Sequence, residues 1–279
     1  MAYKSILTVL TDPKDVAAVL DAAVPFAAAC GGHLDVLCLG IDRTQTGYYF
    51  AGATALMHDE TIAQAQAEVT EIESAARAEL ERSGISWGLD ALVAQSASVS
   101  GLVARRARFA DLVILPKPYG EAQYSDAPVV VEAAMFQGNA PVIVLADGKP
   151  VTPTPARVVV AWNESAEAMA SIRRALPLLQ AAEEVNICII APERHSADSS
   201  DPGAELSRML SRHGVSVEVT ILAQTLPRVS EVIARHVADR NADMLVMGAY
   251  GHSRFREAIL GGATRNMLEH ASLPVFMAH

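Results

Sequence analysis

The residue types best placed to do chemistry lie between Met244 and Thr264, which reads MLVMGAYGHSRFREAILGGAT. An apolar run, Met244 to Met247, stops at Gly248. Gly251 follows, then a charged segment with Arg254, Arg256 and Glu257, and Gly261, Gly262, Ala263 and Thr264 open a helical pattern. The order is strand, glycine loop, helix start. Glycines admit positive φ and let a ligand approach main-chain N–H groups, while a helix N-terminus supplies free donors and the positive end of a dipole. The anion that suits such a loop is a phosphate. The expected donors are the N–H groups of Gly248, Gly251, Gly261, Gly262 and Ala263 and the hydroxyl of Thr264, with Met247 at the strand end and His252, Ser253 and Arg254 as supporting loop residues. Turn and helix-packing geometry alone would also account for these glycines, so both readings stand at this point.

The elements that must position this loop occur twice along the chain. In the first half, apolar runs at Ser5–Thr11, His33–Ile41, Ile85–Ala94, Asp111–Leu115 and Ala140–Leu145 read as strands. They alternate with helical patterns at Asp15–Cys30, Asp59–Arg82, Ser98–Phe109 and Pro128–Gln137. Lys149 to Pro155 contains three prolines, which lack the N–H an inner strand needs, and reads as a linker. Beyond it the order recurs, with strands at Ala156–Trp162, Val185–Ala191, Val215–Ala223, Asp243–Met247 and Pro274–Ala278. Pro25 matches Pro177, Ala110-Asp111 matches Ala242-Asp243, and Asn139-Ala140-Pro141 matches Ser272-Leu273-Pro274. The expected organisation is an internal duplication: a domain over 1–148, a linker over 149–155 and a domain over 156–279.

Almost wholly apolar strands alternating with amphipathic helices imply an α/β fold of two tandem doubly wound domains. Each has a five-stranded parallel sheet covered on both faces, and strand five at the edge is open to antiparallel pairing across the domain pair. Ligands of such sheets sit at the carboxyl ends of the strands, where the glycine loop falls.

Composition removes several function classes. The 279 residues carry 22 Lys+Arg against 32 Asp+Glu, a formal charge of −10, which repels a nucleic-acid backbone or an anionic membrane. The start of the chain enters a strand pattern without a secretory signal, and no apolar stretch is long enough to span a bilayer, so the expectation is a cytoplasmic protein. Cys30, Cys38 and Cys188 sit in apolar segments and read as reduced core thiols. The histidines, among them His195, His213, His236, His252, His270 and His279, lack metal-binding spacing, and no metal is expected beyond a magnesium ion carried with a nucleotide. The chain has no nucleophile elbow, P-loop or dinucleotide fingerprint.

With the glycines and the duplicated order in place, the chain resembles the universal stress protein family in its tandem, two-domain form. That family's nucleotide binders carry G-x-x-G, nine residues, then G-[S/T], and Gly248, Gly251 and Gly261 have this spacing. The resemblance implies a Rossmann-like, adenine nucleotide alpha hydrolase-like fold and a regulatory or protective role in stress. It also implies an adenine nucleotide, ATP or another, in the second domain, an unidentified protein partner, an internal pseudo-dimer and scope for a further homodimer. Two positions depart from the pattern: Gly262 replaces the hydroxyl residue, with Thr264 two positions on, and Asn163 stands where an Asp is expected. Ala161, Trp162 and Asn163 would form the adenosine end. Asn163, Glu164 and Ser165 equally suit a helix cap.

In the first half Pro116 and Tyr119 replace the first two glycines, and Val129 to Val131 take the places of Gly262 to Thr264, so that crevice reads as closed to nucleotide. The expected mechanism is binding. A ligand-free interaction or chaperone-like role is the first alternative. Slow ATPase or phosphotransferase chemistry, for which Glu257 is the one acidic residue in the loop, is the second.

Overall fold

The computed structural model describes residues 3–43, 54–119, 126–146, 149–191, 202–249 and 262–279, apart from the side chains of 54–58 and 263. The chain divides into two compact units, Met1–Ala140 and Pro141–His279. Strands and helices fall within a few residues of the expected bounds.

In the first unit β1 (Ser5–Leu10), β2 (His33–Asp42), β3 (Ser86–Gln95) and β4 (Leu112–Leu115) form parallel pairs in the order β3-β2-β1-β4. They alternate with α1 (Val16–Cys30), α2 (Thr54–Ser83), α3 (Ser96–Ala107) and, after β4, α4 (Ala127–Glu132). β1, β2 and β4 are apolar on both faces because helices cover both, and Ile6, Leu34, Leu39, Leu112 and Ile114 are fully buried. Helix α1 stops where Gly31 takes a left-handed φ of 54°, a backbone conformation that favours glycine. A regular helix was expected to Gln137. Instead α4 loosens into a π turn over Ala133–Gln137, where Gly138 N donates to Ala133 O at 2.9 Å and Ala134 and Met135 are buried.

The second unit holds β6 (Arg157–Ala161), α5 (Ala166–Ala181), β7 (Glu184–Ile190), α6 (Ala204–Arg212) and β8 (Val217–Leu222). It continues with α7 (Val229–Asp239), β9 (Met244–Gly248), α8 (Ala263–His270) and β10 (Val275–Ala278). Five parallel strands run in the order β10-β9-β6-β7-β8. The short strand β5 (Val142–Val144), the last of the first repeat, lies in this unit and pairs antiparallel with β10, Val144 opposite Val275. That pairing covers the open edge of β10. A single serine ties the last strand to α5: the fully buried Ser171 Oγ accepts from Ala278 N at 2.7 Å and donates to Ala278 O at 3.1 Å.

The duplication is visible in matching contacts. The Asp111 carboxylate accepts from Ser5 N at 2.9 Å, and Asp243 accepts from Arg157 N at 2.8 Å, each fastening the fourth strand of its repeat to the first. Cys30, Cys38 and Cys188 are buried and unpaired, and burial pushes the thiols of Cys38 and Cys188 up to about 12 and about 11. Among the described residues no helix is long and apolar enough to cross a membrane.

Candidate functional site

Strand order fixes where a crevice can form. In the second unit the chain starts at β6, moves outward through β7 and β8, then returns to the other side of β6 for β9 and β10. Connections diverge between β6 and β9, and a doubly wound sheet opens its ligand crevice at the carboxyl ends of such a pair. Ala161 at the end of β6 lies opposite Met247 near the end of β9, and Gly248 lies opposite Ala278. Ala161, Trp162, Asn163, Met247 and Gly248 thus share one end of one sheet.

Each of these residues has a local role. Trp162 N donates to Cys188 O at 2.9 Å, and its indole Nε1 donates to Pro202 O at 3.3 Å, ahead of α6. The exposed Asn163 accepts through Oδ1 from Ser165 N at 3.2 Å and Ser165 Oγ at 2.7 Å. Ser165 Oγ in turn accepts from Ala168 N at 3.1 Å as the N-cap of α5. Between them Glu164 holds a φ of 62°, which is strained for a residue with a Cβ. The cap reading of Asn163 and Ser165 therefore has a direct structural basis.

Gly248 has one as well. A Cβ there would stand 2.5 Å from Ala168 N and 2.8 Å from the carbonyl carbon of Glu167, so glycine is required for β9 to pass under the first turn of α5. The same closeness brings the positive end of a sixteen-residue helix against the end of β9. Ala249 N donates to Ala278 O at 3.2 Å, and the His279 imidazole Nδ1–H donates to Ala249 O at 3.1 Å. His279 is thus at the same end of the sheet, a position its place in the sequence did not suggest.

On the far side of the loop Gly262 is the N-cap of α8, and Thr264 is buried in that helix's first turn. Ala263 begins the helix. Gly251, His252, Ser253, Arg254 and Gly261 lie outside the described residues, as do Glu257 and the aromatic segment Tyr48–Phe50.

The equivalent crevice of the first unit lies between β1 and β4. There Val9, Thr11, Leu115, Pro116, Ala127, Val130 and Val131 surround a mostly apolar gap of about 190 Å³ with no room for a water-sized sphere. Pro116, Val130 and Val131 close it as expected. Val129 does not: it is 40% exposed, because the turn of α4 that directs Val130 and Val131 inward directs Val129 to solvent. Tyr119 is not part of that lining either.

A doubly wound α/β unit with a glycine-ended strand at its divergence point places the unit among Rossmann-like folds, and comparison with known proteins narrows this. The sequence model of the universal stress protein family matches residues 155–279. That second half of the chain is similar to the universal stress protein family. A universal stress protein of Synechocystis is 37% identical over 68 residues, a match spanning 24% of this chain and 23% of that relative's own length. Among solved structures, a universal stress protein from Archaeoglobus fulgidus superposes with a TM-score of 0.67 at 17% identity, covering 98% of this chain and 95% of that one. A Pseudomonas aeruginosa protein described as functionally unknown gives 0.54 at 16% identity, covering 99% and 92%. The two structural likenesses show that the tandem fold extends over the whole chain.

Proposed function

We propose that the chain is a regulatory or protective stress-response protein that binds an adenine nucleotide, ATP or a relative, in its second repeat. One observation carries the reading. The strand ends that precede the glycine loop and the Asn163 turn are neighbours, Ala161 opposite Met247, at the divergence point of the sheet. Gly248, Gly251, Gly261, Gly262 and Ala263 would give main-chain donors to the phosphates, Thr264 a hydroxyl, and His252, Ser253 and Arg254 support. Ala161, Trp162 and Asn163 would meet the adenosine, and a magnesium ion would arrive only with the nucleotide. The reading takes 1–148 and 156–279 as repeats joined by 149–155, forming an internal pseudo-dimer that works in the cytoplasm and signals to a protein partner through the loop.

Isothermal calorimetry with ATP, ADP, AMP and cyclic AMP, together with native mass spectrometry of the purified chain, tests it. Micromolar binding of at least one nucleotide, lost in Gly251→Val, is the expected result. No heat with any of the four and no retained ligand would sink the proposal. A second reading, a ligand-free interaction protein, is favoured by the packing role of Gly248 and the cap role of Asn163. It expects partner capture to survive Gly251→Val.

A further inference from the structure

The repeats also differ at the opposite end of their sheets. Because Ser5 and Arg157 are counterparts on the Asp111 and Asp243 carboxylates, the strand registers equate Asp35 with Asn186, Gly88 with Glu218 and Asp90 with Thr220. The residues that end α3 and α7, Arg108 and Arg240, likewise equate Ala104 with His236.

In the second unit this place is filled by a polar network. Asn186 Nδ2 donates to Thr220 Oγ1 at 2.9 Å, His236 Nε2 donates to Asn186 Oδ1 at 2.7 Å, and Arg240 reaches Glu218 at 2.7 Å and Glu184 and Thr220 at 3.2 Å. In the first unit Gly88 and Ala104 stand where Glu218 and His236 do, and a cavity of about 400 Å³, lined by Gly88, Asp35 and Asp90 among others, lies between the sheet and the end of α3. That volume is within the range of small-molecule sites, about 300–1,000 Å³.

The lining has a definite chemistry. Asp35 is within ion-pair distance of His33, at 3.4 Å, and of no lysine or arginine among the described residues. Asp90 is held by Arg106 at 2.7 Å, both carboxylates are about half exposed, and Phe109, 80% exposed, is among the lining residues. Two carboxylates against one guanidinium leave the lining with an excess negative charge beside the exposed Phe109. The geometry points to a binding site in the first unit for a small organic ammonium ion. Asp35 serves as counter-ion, Asp90 as a second acceptor oriented by Arg106, and Phe109 as the ring face that attracts a cation. An anion would meet the carboxylates, and an apolar guest would desolvate them without compensation. This site is independent of any nucleotide in the second repeat.

The test is a titration of the full ¹⁵N-labelled chain with butylammonium, using butanol and butyrate as uncharged and anionic controls of the same length. The amide signals of Asp35, Gly88, Asp90 and Phe109 should shift with butylammonium alone, and less so at high salt. Asp35→Asn should weaken the response about tenfold, the scale of a lost charge-assisted hydrogen bond, and Phe109→Ala about threefold. Gly88→Glu gives the first unit the residue its repeat carries and should abolish the response. Equal shifts with butanol, shifts elsewhere only, or an unchanged response in Asp35→Asn would overturn the assignment. Asp35→Asn conserves volume, so it decides the matter even where Gly88→Glu does not fold.

Discussion

The two repeats have the same strand order and differ in what fills each end of their sheets. At the carboxyl ends the first repeat packs Pro116, Val130 and Val131 into the divergence point, whereas the second leaves glycine there. At the amino ends the second repeat fills the space with Asn186, Glu218, Thr220, His236 and Arg240, whereas the first leaves a cavity. A duplicated fold needs one set of fastenings, such as Asp111 and Asp243, and it tolerates divergence wherever a side chain fills space without fixing a strand. Space can therefore be filled or left open at either end of the same architecture with the strands held in place.

The strongest way to break the comparison is at Gly248. If the glycine is held by packing, Gly248→Val must push a methyl group into the backbone of Glu167 and Ala168. It should destabilise the second unit by about 3 kcal/mol, the upper part of the usual overpacking range. Each unit has one tryptophan, Trp87 or Trp162, so denaturant melts followed by fluorescence in a Trp87→Phe background report the second unit. A loss under about 1 kcal/mol would show that the strand end yields easily, and would return the glycine to a purely ligand-related role. Pro116→Gly in the first unit should not create nucleotide binding, because Val130 and Val131 still fill the gap.

Next in size is the polar network. His236→Ala would leave the buried Asn186 Oδ1 without the imidazole donor it now has at 2.7 Å, and should cost about 2 kcal/mol. His236→Gln, which can still donate, should cost less. If both cost the same, the hydrogen bond is not what holds α7 to β7.

The same histidine makes the second unit the more sensitive to mild acid. His236 is 7% exposed, and burial first, then the nearby Arg240 cation, hold its pKa below the ordinary 6.5, against weaker upward pulls from Asp239 and Glu218. The unfolded chain therefore binds the proton more readily. The stability this group contributes is present above about pH 6.5 and is lost as pH falls through its lower folded value. Melts of the second unit between pH 7 and 5 should show a drop that His236→Gln removes, while the first unit, with Ala104 at that place, changes less over the interval. A drop of equal size in the variant would assign it to other groups.

The fold was legible because its signals are local and repeated: apolar runs of strand length, Gly31 after α1, Ser165 before α5, and paired markers such as Pro25 and Pro177. The strand end before the glycine loop was legible for the same reason, since a glycine after an apolar run marks such an end. The need for Gly248 itself was not, because it depends on how close α5 passes, a distance set by tertiary packing. The first-unit cavity was also hidden. Its wall includes Gly88, a residue without a functional group, and its contrast with the second repeat becomes visible only when the repeats are aligned by register. The outward turn of Val129 likewise needed the phase of α4, which a run of three valines does not reveal.

The smallest expected effect is the one that best separates the two readings of the β6 end. Ser165→Ala removes the N-cap that accepts from Ala168 N and should cost about 1 kcal/mol whichever reading holds. Asn163→Ala removes an acceptor from an exposed turn and should cost less than about 1 kcal/mol in stability. If Asn163 only fastens the turn, nucleotide affinity should track stability, and Ser165→Ala should disturb it at least as much as Asn163→Ala. If Asn163 meets the adenosine, its loss should weaken binding about fivefold to tenfold, the scale of one hydrogen bond, while Ser165→Ala leaves affinity nearly unchanged. Calorimetry on the two variants, with their unfolding energies measured in the Trp87→Phe background, gives the two rankings. They agree under one reading and invert under the other, because a cap acts on the backbone of α5 and a ligand contact acts only when the ligand is present.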